Sequence, residues 1–357
     1  MRIAQISPLM EAVPPKLYGG TERVVAYLTD ALVEMGHQVT LFASGDSVTK
    51  AVLEPACRAA LRLDPTIRDH VAALIAMLEG VAARAHEFDV IHLHCDYLGY
   101  GPMRRAGAPF LATLHGRLDL PELKLVYRTY PEVPVVSISD AQREPLPEAR
   151  YVETVQHGLP QQLLTPGSGA GGYLAFLGRI SPEKAPDRAV RIAARAGMRL
   201  KIAAKIDRVD RDYFAAEIAP LFEQPHVEYI GEIPEERKSE FLGNAAGLIF
   251  PITWREPFGL AMIEAMACGT PVVAMRIGSV PEVIDEGVTG FVVEDEAEAA
   301  AAARRLLMLD RARVRRVFDE RFTAHRMAEN YLAIYRRLIA ERETPRATRR
   351  IGGRDRE

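Results

Sequence analysis

Two carboxylates, Glu256 and Glu264, lie eight residues apart in a segment that predicts a helix. Pro257 suits the first turn of that helix, because its fixed φ is helical and its missing N–H would be unpaired there anyway. Gly269 suits the left-handed position that ends a helix. We therefore predict a helix over 259–267, with Glu256 before it and Glu264 about two turns in. Both carboxylates can then face one ligand, and the free N–H groups at the helix start can bind phosphate or sugar oxygens.

Apolar residues surround the second carboxylate in the sequence. The neighbours of Glu264 are Met262, Ile263, Ala265 and Met266. An unpaired carboxylate in such surroundings is costly, so a functional role is favoured. The structural alternative is that acidic residues are common near helix starts and that Glu264 caps a neighbouring element.

Two cations, Arg179 and Lys184, follow an apolar run over 173–177 that predicts a strand. Arginine offers a planar fork that fits a phosphate, and lysine adds a mobile point charge. Cations placed beyond the end of a strand can lower a reaction barrier by stabilising negative charge on a departing group. Taken alone, a solvated loop that carries these charges by chance is the simpler interpretation.

Two loops in the first half of the chain also fit a ligand site. Gly19 and Gly20 precede a predicted helix, where glycine lets the backbone approach a ligand and Thr21 can cap the helix. A plain turn is the alternative. His115 ends a predicted strand, and a helix-capping or buried structural histidine is the alternative there.

Short apolar runs alternate with helical patterns, which predicts parallel sheets covered by helices on both faces. In the first half we expect strands at 3–6, 39–42, 90–93, 110–114, 135–138 and 152–155, and helices at 21–35 and 69–85. In the second half we expect strands at 173–177, 200–204, 227–230, 248–251 and 271–274, and helices at 187–196, 211–222, 234–246 and 259–267. Ligands of such sheets bind beyond the carboxyl ends of the strands.

The series is interrupted once, by a Gly/Ser-rich run at 167–172 that is typical of a linker. We therefore predict five parts: a Rossmann-like domain over 1–162, a linker over 163–172, a second Rossmann-like domain over 173–325, a helix over 326–342 that packs back toward the first domain, and a flexible tail over 343–357. The fold class is α/β, with two doubly wound parallel sheets that face each other across a cleft.

Composition excludes several other classes of protein. The net charge of −3 gives no sign of a nucleic-acid partner, and the 3 scattered cysteines argue against a disulfide framework or a zinc site. No apolar stretch approaches the ~20 residues that cross a bilayer, and the first residues lack the pattern of a signal peptide. We expect a cytoplasmic protein without a cofactor or metal; peripheral membrane contact stays open, because one amphipathic face is enough for it.

Three other patterns imitate ligand sites. The glycines at 167–172 precede a strand, whereas a phosphate-binding loop must follow one. Asp210 and Asp212 have the spacing of a metal-binding pair, but they open a helix, where acidic residues favour the positive end of the dipole. His92 and His94 alternate at a strand end without a nearby carboxylate, so structural roles are expected.

The segment from Trp254 to Ala274 resembles the E-x7-E motif of the retaining family 4 glycosyltransferases, which have the GT-B fold. The resemblance continues through 278–284 and 287–293 and covers nearly the whole chain. It implies that Glu264 holds the ribose hydroxyls of a nucleotide-sugar donor and that Glu256 contacts the transferred sugar. It also implies donor contacts by four residues of the same segment: Pro257, Phe258, Gly259 and Leu260.

The remaining motifs acquire roles from the same resemblance. Arg179 and Lys184 would bind the donor diphosphate, and the backbone of Gly19 and Gly20 would face it from the first domain. His115 would line the sugar site, where its imidazole could bind the sugar or its backbone could place the reacting centre. The turn Gly231–Glu232 would contact the base, whereas 205–207 lacks the glycine that many relatives have after the preceding strand, which leaves the base open.

The resemblance implies a retaining, metal-independent hexosyltransferase that forms an α-glycosidic bond. UDP-glucose is the favoured donor and GDP-mannose the second. The acceptor is a saccharide, a lipid carrier or a small metabolite. The alternative function is a nucleotide-sugar epimerase on the same fold, which would need acids placed for elimination.

Overall fold

The computed structural model describes residues 1–16 and 19–343 of the 357-residue chain. Tyr18 and residues 344–357 of the expected tail therefore lie outside the described residues. Within the described residues, no helix combines the length and the apolar character needed to cross a membrane.

Two parallel sheets organise the chain, one in each half, which confirms the predicted fold class. The first sheet has the order β3-β2-β1-β4-β5-β6-β7 and the second the order β10-β9-β8-β11-β12-β13. The first-sheet strands are β1 Arg2–Ile6, β2 Gln38–Ser44, β3 Val52–Cys57, β4 Val90–Leu93, β5 Phe110–Thr113, β6 Pro134–Ser137 and β7 Arg150–Thr154. The second-sheet strands are β8 Tyr173–Arg179, β9 Arg199–Lys205, β10 Val227–Gly231, β11 Gly247–Phe250, β12 Val272–Met275 and β13 Gly290–Val293.

Helices cover the sheets. The first half has α1 Gly20–Glu34, α2 His70–Ala83, α3 Tyr100–Ala106 and α4 Leu123–Thr129. The second half has α5 Pro186–Ala196, α6 Arg211–Tyr213, a π-helical turn Phe214–Ile218, α7 Ala219–Phe222, α8 Glu235–Gly243, α9 Leu260–Ala267, α10 Val280–Val283, α11 Glu296–Arg305, α12 Arg311–Arg321 and α13 Ala324–Glu343. Single 3-10 turns lie at Leu61–Leu63, Ala85–Glu87, Asp96–Gly99, Ala141–Arg143, Arg208–Asp210 and Leu306–Met308.

The predicted strands all exist, with ends that differ by at most two residues, but β3 and β13 were not predicted. β3 lies at the sheet edge, where its Pro55 costs no ladder hydrogen bond and its side chains are only partly buried. Such a strand lacks a continuous apolar run. The cap predicted for Thr21 is also wrong: α1 begins one residue earlier, and Gly19 occupies the capping position in an extended conformation.

The chain crosses between the two sheets twice, and the crossings lie side by side. The N–H of Leu159 donates to the carbonyl of Phe322 over 2.9 Å, and the N–H of Ala324 donates to the carbonyl of Leu159 over 2.7 Å. A side chain at Gly158 would place its Cβ 2.2 Å from the carbonyl oxygen of Thr323, so only glycine fits. After the second crossing, α13 packs on α1 and shares the apolar core of the first sheet.

Candidate functional site

A cleft of about 820 Å³ separates the two sheets, and the loops that follow their strands line it. The predicted site residues that line this cleft are Gly19, Gly20, His115, Arg179, Lys184, Glu232, Glu256, Pro257, Phe258, Gly259, Leu260 and Glu264. Gly231 is not among the lining residues, although it directly precedes Glu232 and has a φ of +75°. The structure therefore brings residues from both halves of the chain to one site.

The helix that carries Glu264 begins later than predicted. α9 starts at Leu260, and Gly259 precedes it with a left-handed φ of 86°. Pro257 therefore lies before the helix and not in its first turn, and Glu264 lies in the second turn, about one turn from the start. The sharp bend at Gly259 is the physical reason, because it separates the Pro257 segment from the helical axis. The predicted end is confirmed: Gly269 has a φ of +67°.

Two cations from different parts of the chain hold Glu264. Its side chain is only 3 % exposed, and its Oε1 accepts from Arg23 Nη2 over 2.5 Å and from Lys238 Nζ over 2.9 Å. Arg23 lies on α1 of the first half, whereas Lys238 lies on α8. Burial alone raises the pKa of Glu264, but the two cations outweigh burial and lower this pKa to about 2. The carboxylate is therefore charged, and it joins the two halves of the molecule.

The other carboxylate, Glu256, is held by Lys184 and Trp254. Lys184 Nζ forms an ion pair with Glu256 Oε2, and the indole N–H of Trp254 donates to the same oxygen over 3.0 Å. Lys184 Nζ also lies 5.3 Å from the centroid of the Trp254 ring, within the range of a cation–π contact. The lysine predicted to bind a diphosphate and the carboxylate predicted to bind a sugar thus lie side by side.

Arg179 lies among carboxylates at the end of β8. It pairs with Glu183, and its guanidinium lies 3.6 Å from both Asp207 and Asp210. The latter is one of the two residues with metal-like spacing, and its proximity to Arg179 gives it an ion-pair role in the fold. Within the described residues, no group of three or more His, Cys, Asp or Glu side chains is arranged to hold a metal ion.

His115 has a cleft position and a buried partner at the same time. Its Nε2 lies 2.8 Å from His94 Nδ1, and its ring stacks on His157 with centroids 5.2 Å apart. Burial lowers the pKa of His115 to about 3, so the imidazole is neutral at physiological pH. The expected structural role of His92 agrees with its two buried hydrogen bonds, to Tyr335 and Thr113.

Comparison with known proteins identifies the family. Residues 169–325 match the family "Glycosyl transferases group 1", and residues 18–148 match "Glycosyltransferase Family 4". A D-inositol 3-phosphate glycosyltransferase of Acidothermus cellulolyticus is 28% identical over 94% of this chain and 89% of its own length. This chain belongs to glycosyltransferase family 4.

Solved structures agree with this assignment. AviGT4, a glycosyltransferase involved in avilamycin A biosynthesis, superposes with a TM-score of 0.69 and 26% identity over 95% of this chain and 98% of its own. Anabaena HepE in complex with UDP-glucose superposes with a TM-score of 0.71 and 18% identity over 96% of this chain and 99% of its own. The family 4 glycosyltransferase described here therefore has the GT-B fold.

Several cleft residues of this family 4 glycosyltransferase were not predicted as site residues, and three of them contact the two carboxylates: Arg23, Lys238 and Trp254. A signal for Arg23 existed, because it lies three residues after Gly20 on the same face of α1, and that glycine was expected to face the ligand. The burial expected for Glu264 also required a cation. The sequence could not show that α1 and α8 each supply one such cation, because the contact with α1 depends on how the two halves meet.

Proposed function

We propose that this family 4 glycosyltransferase transfers a hexose from a nucleotide-sugar to an acceptor hydroxyl with retention, forming an α-glycosidic bond. The main support is the arrangement of charges in the cleft. Two carboxylates, Glu256 and Glu264, lie on one wall with two cations, Arg179 and Lys184. A nucleotide-sugar offers the matching groups: hydroxyls for the carboxylates and a diphosphate for the cations.

UDP-glucose is the first donor to test and GDP-mannose the second. Anabaena HepE, which shares the fold, binds UDP-glucose. In our proposal Glu264 accepts from the ribose hydroxyls, and the turn at Gly231 and Glu232 contacts the base. Gly231 supports this role, because its φ of +75° and the open space at its Cβ position leave the backbone accessible.

The proposed step needs no metal, because protein cations stabilise the departing charge. The bond between the sugar C1 and the phosphate oxygen breaks, and its electron pair stays on the phosphate. The acceptor oxygen bonds to C1 on the same face, and its proton passes to the departing phosphate oxygen. Arg179 and Lys184 stabilise that phosphate. Closure of the acceptor-side domain, residues 1–162, on the donor domain, residues 173–325, excludes water and brings His115 to the sugar.

The acceptor to test first is suggested by the curated relatives, which are named as D-inositol 3-phosphate glycosyltransferases. The purified protein is incubated with UDP-glucose and D-inositol 3-phosphate, in parallel with a panel of saccharides and lipid-linked sugars. Mass spectrometry detects the product, and the anomeric proton coupling gives its configuration. An α-linked product formed in the presence of a chelator supports the proposal; a β-linked product or loss of activity with the chelator contradicts it.

A further inference from the structure

A continuous network of buried hydrogen bonds ends at His115. Gln5, His92 and His94 are fully or almost fully buried, as are the Thr113, Tyr331 and Tyr335 side chains that contact them. His94 Nε2 lies 2.7 Å from Gln5 Oε1, and His94 Nδ1 lies 2.8 Å from His115 Nε2. The network thus connects the centre of the first sheet with the cleft.

The carbonyl oxygen of Gln5 sets the direction of these hydrogen bonds. An amide oxygen only accepts, so His94 must carry its proton on Nε2. Burial lowers the pKa of His94 well below its ordinary value, so the ring is neutral and its Nδ1 is an acceptor. His115 must then donate from Nε2, and a neutral His115 has its lone pair on Nδ1.

The other side of the network has the same direction. The amide nitrogen of Gln5 donates to the hydroxyl of Tyr335 over 3.1 Å. That hydroxyl lies 2.7 Å from His92 Nδ1, and donation of its hydrogen to this nitrogen continues the same direction. His92 Nε2 then donates to Thr113 Oγ1 over 2.7 Å. With the Gln5 amide oriented as in this structure, each of these groups has a partner of the right kind, and this one orientation assigns the tautomers of all three histidines.

His115 Nδ1 is the end of this chain of hydrogen bonds. It is buried and has no hydrogen-bond partner among the described residues. Because Nε2 is engaged by His94, a ligand in the cleft can form a ring hydrogen bond only with Nδ1. Stacking on His157 and the buried bond to His94 both restrict rotation of the ring.

We infer that Gln5 and His94 are positioning residues, which hold His115 with its proton on Nε2 and present Nδ1 as an acceptor for a substrate hydroxyl. This contact selects for a group that donates a hydrogen at that position. An ether, a fluorine or a carboxylate at that position has no hydrogen to donate, and its own lone pairs are repelled by the lone pair of His115 Nδ1, so it is rejected. The substrate part of the inference rests on the proposed function, whereas the tautomer does not.

Histidine-selective nitrogen-15 NMR of the ligand-free protein tests the tautomer. His115→Asn assigns the signals by removing them. We expect wild-type His115 to show a protonated Nε2 and an unprotonated Nδ1. A protonated Nδ1 overturns the inference, whatever the enzyme transfers, and a correct tautomer without any sugar transfer refutes the proposed function alone.

Gln5→Met tests the role of the amide, since it keeps the length of the side chain and removes both polar groups. We expect the His115 signals to move toward a mixture of the two tautomers. Tyr331→Phe is the matched control, because it removes a different buried polar group of the network, the hydroxyl that contacts Thr113 at the far end. This variant should leave the His115 tautomer unchanged. An unchanged tautomer in a folded Gln5→Met protein contradicts the positioning role, and the wild-type measurement is decisive by itself if this variant does not fold.

Deoxy and deoxyfluoro analogues of the donor and of the acceptor test the contact with substrate. At the hydroxyl that contacts His115, we expect both analogues to lower the kcat/KM of the wild type by the same factor. Neither the C–H of the deoxy analogue nor the C–F of the fluoro analogue can donate a hydrogen bond to Nδ1. Gln5→Met should separate the two analogues, since its second tautomer can donate to fluorine. A fluoro analogue that the wild type uses better than the deoxy analogue at every position contradicts the inference.

Discussion

Single residues in the cleft are paired with opposite charges before any substrate binds. Lys184 contacts Glu256, and Arg179 lies between Glu183 and two aspartates. A diphosphate therefore has to compete with carboxylates for these cations, which favours a ligand of high negative charge. This arrangement also gives each of these six buried or half-buried ionic groups a counter-charge.

Arg179→Ala should slow turnover much more than it weakens donor binding. Its charge is required most when the bond to phosphate breaks, and removing one such stabilising group costs about 100-fold or more in kcat. Steady-state kinetics and calorimetric donor binding separate the two effects. Arg276→Ala is the control, because it removes an exposed ion pair with Glu294 away from the cleft. Unchanged turnover with normal donor binding in Arg179→Ala would refute the charge-stabilising role.

Glu264→Gln should destabilise the fold in a pH-dependent way. The variant removes the buried counter-charge of Arg23 and Lys238, which keep only the more exposed Glu235 as a carboxylate partner. We expect a cost of about 3 kcal/mol, the low end of the range for a broken buried ion pair. Because the folded-state pKa of about 2 lies below the ordinary 4.5, the contribution of the carboxylate is complete above pH 4.5 and declines as the pH falls toward 2.

Denaturant unfolding of wild type and Glu264→Gln at about pH 6 and about pH 3.5 measures this contribution. The difference between the two proteins should be smaller at the lower pH. A difference that stays constant, or grows as the pH falls, would show that the ion pairs of Glu264 do not lower its pKa.

The element that matters most for the site is α9 with the turn before it. Gly259 has a φ of +86°, and a Cβ there would lie 2.7 Å from Met262 Cε and 3.1 Å from the ring of Phe250. Gly259→Ala should therefore lower the free energy of unfolding by more than the ~1–2 kcal/mol of left-handed strain alone, and it should weaken donor binding by displacing the start of the helix.

Gly36→Ala is the matched control for this change. Gly36 has a φ of +84°, but no atom lies within 4 Å of its Cβ position, so the substitution adds strain without contact. It should lower the stability and leave donor binding intact. Wild-type donor affinity in Gly259→Ala would mean that the start of α9 does not position the ligand.

Most regular elements were predictable from the sequence, although β3 and β13 were missed, and departures from regular geometry were not predictable. Gly269 could be placed because a left-handed glycine followed by proline is a local signal. Pro257 was wrongly predicted to lie in the first turn of the helix. Its fixed φ is equally compatible with the turn that precedes a helix. The left-handed backbone of Gly259, two residues later, places Pro257 in the turn before the helix. Arg23 and Lys238 meet Glu264 only through packing of distant elements, which no local pattern records.

The two halves of the whole molecule contact each other outside the cleft as well. The carboxylate of Glu282, at the start of α10, accepts from the backbone N–H groups of Asp140 and Ala141, each over 2.8 Å. Arg255 also forms an exposed ion pair with Glu144 between the two halves. These contacts stabilise an arrangement in which His115 lines the same cleft as Glu256 and Glu264.

Glu282→Ala should favour a more open molecule. Small-angle scattering of the ligand-free variant should give a larger radius of gyration. The KM for donor should rise about tenfold, which corresponds to ~1.4 kcal/mol. This free energy is slightly below the contribution of one charge-assisted hydrogen bond. Glu294→Ala, which breaks an exposed pair within the second half, is the control. A variant with unchanged dimensions and KM would show that this contact does not control closure.

Recognition of a nucleotide-sugar by the whole cleft is the central claim. The most direct measurement is the melting temperature of wild type and Glu264→Ala with UDP, GDP, ADP and their common sugar conjugates. A nucleotide that binds only the folded state raises the melting temperature. We expect uridine nucleotides to raise it for the wild type and to have no such effect on Glu264→Ala. No shift with any nucleotide, or an equal shift in both proteins, would contradict the proposed donor site.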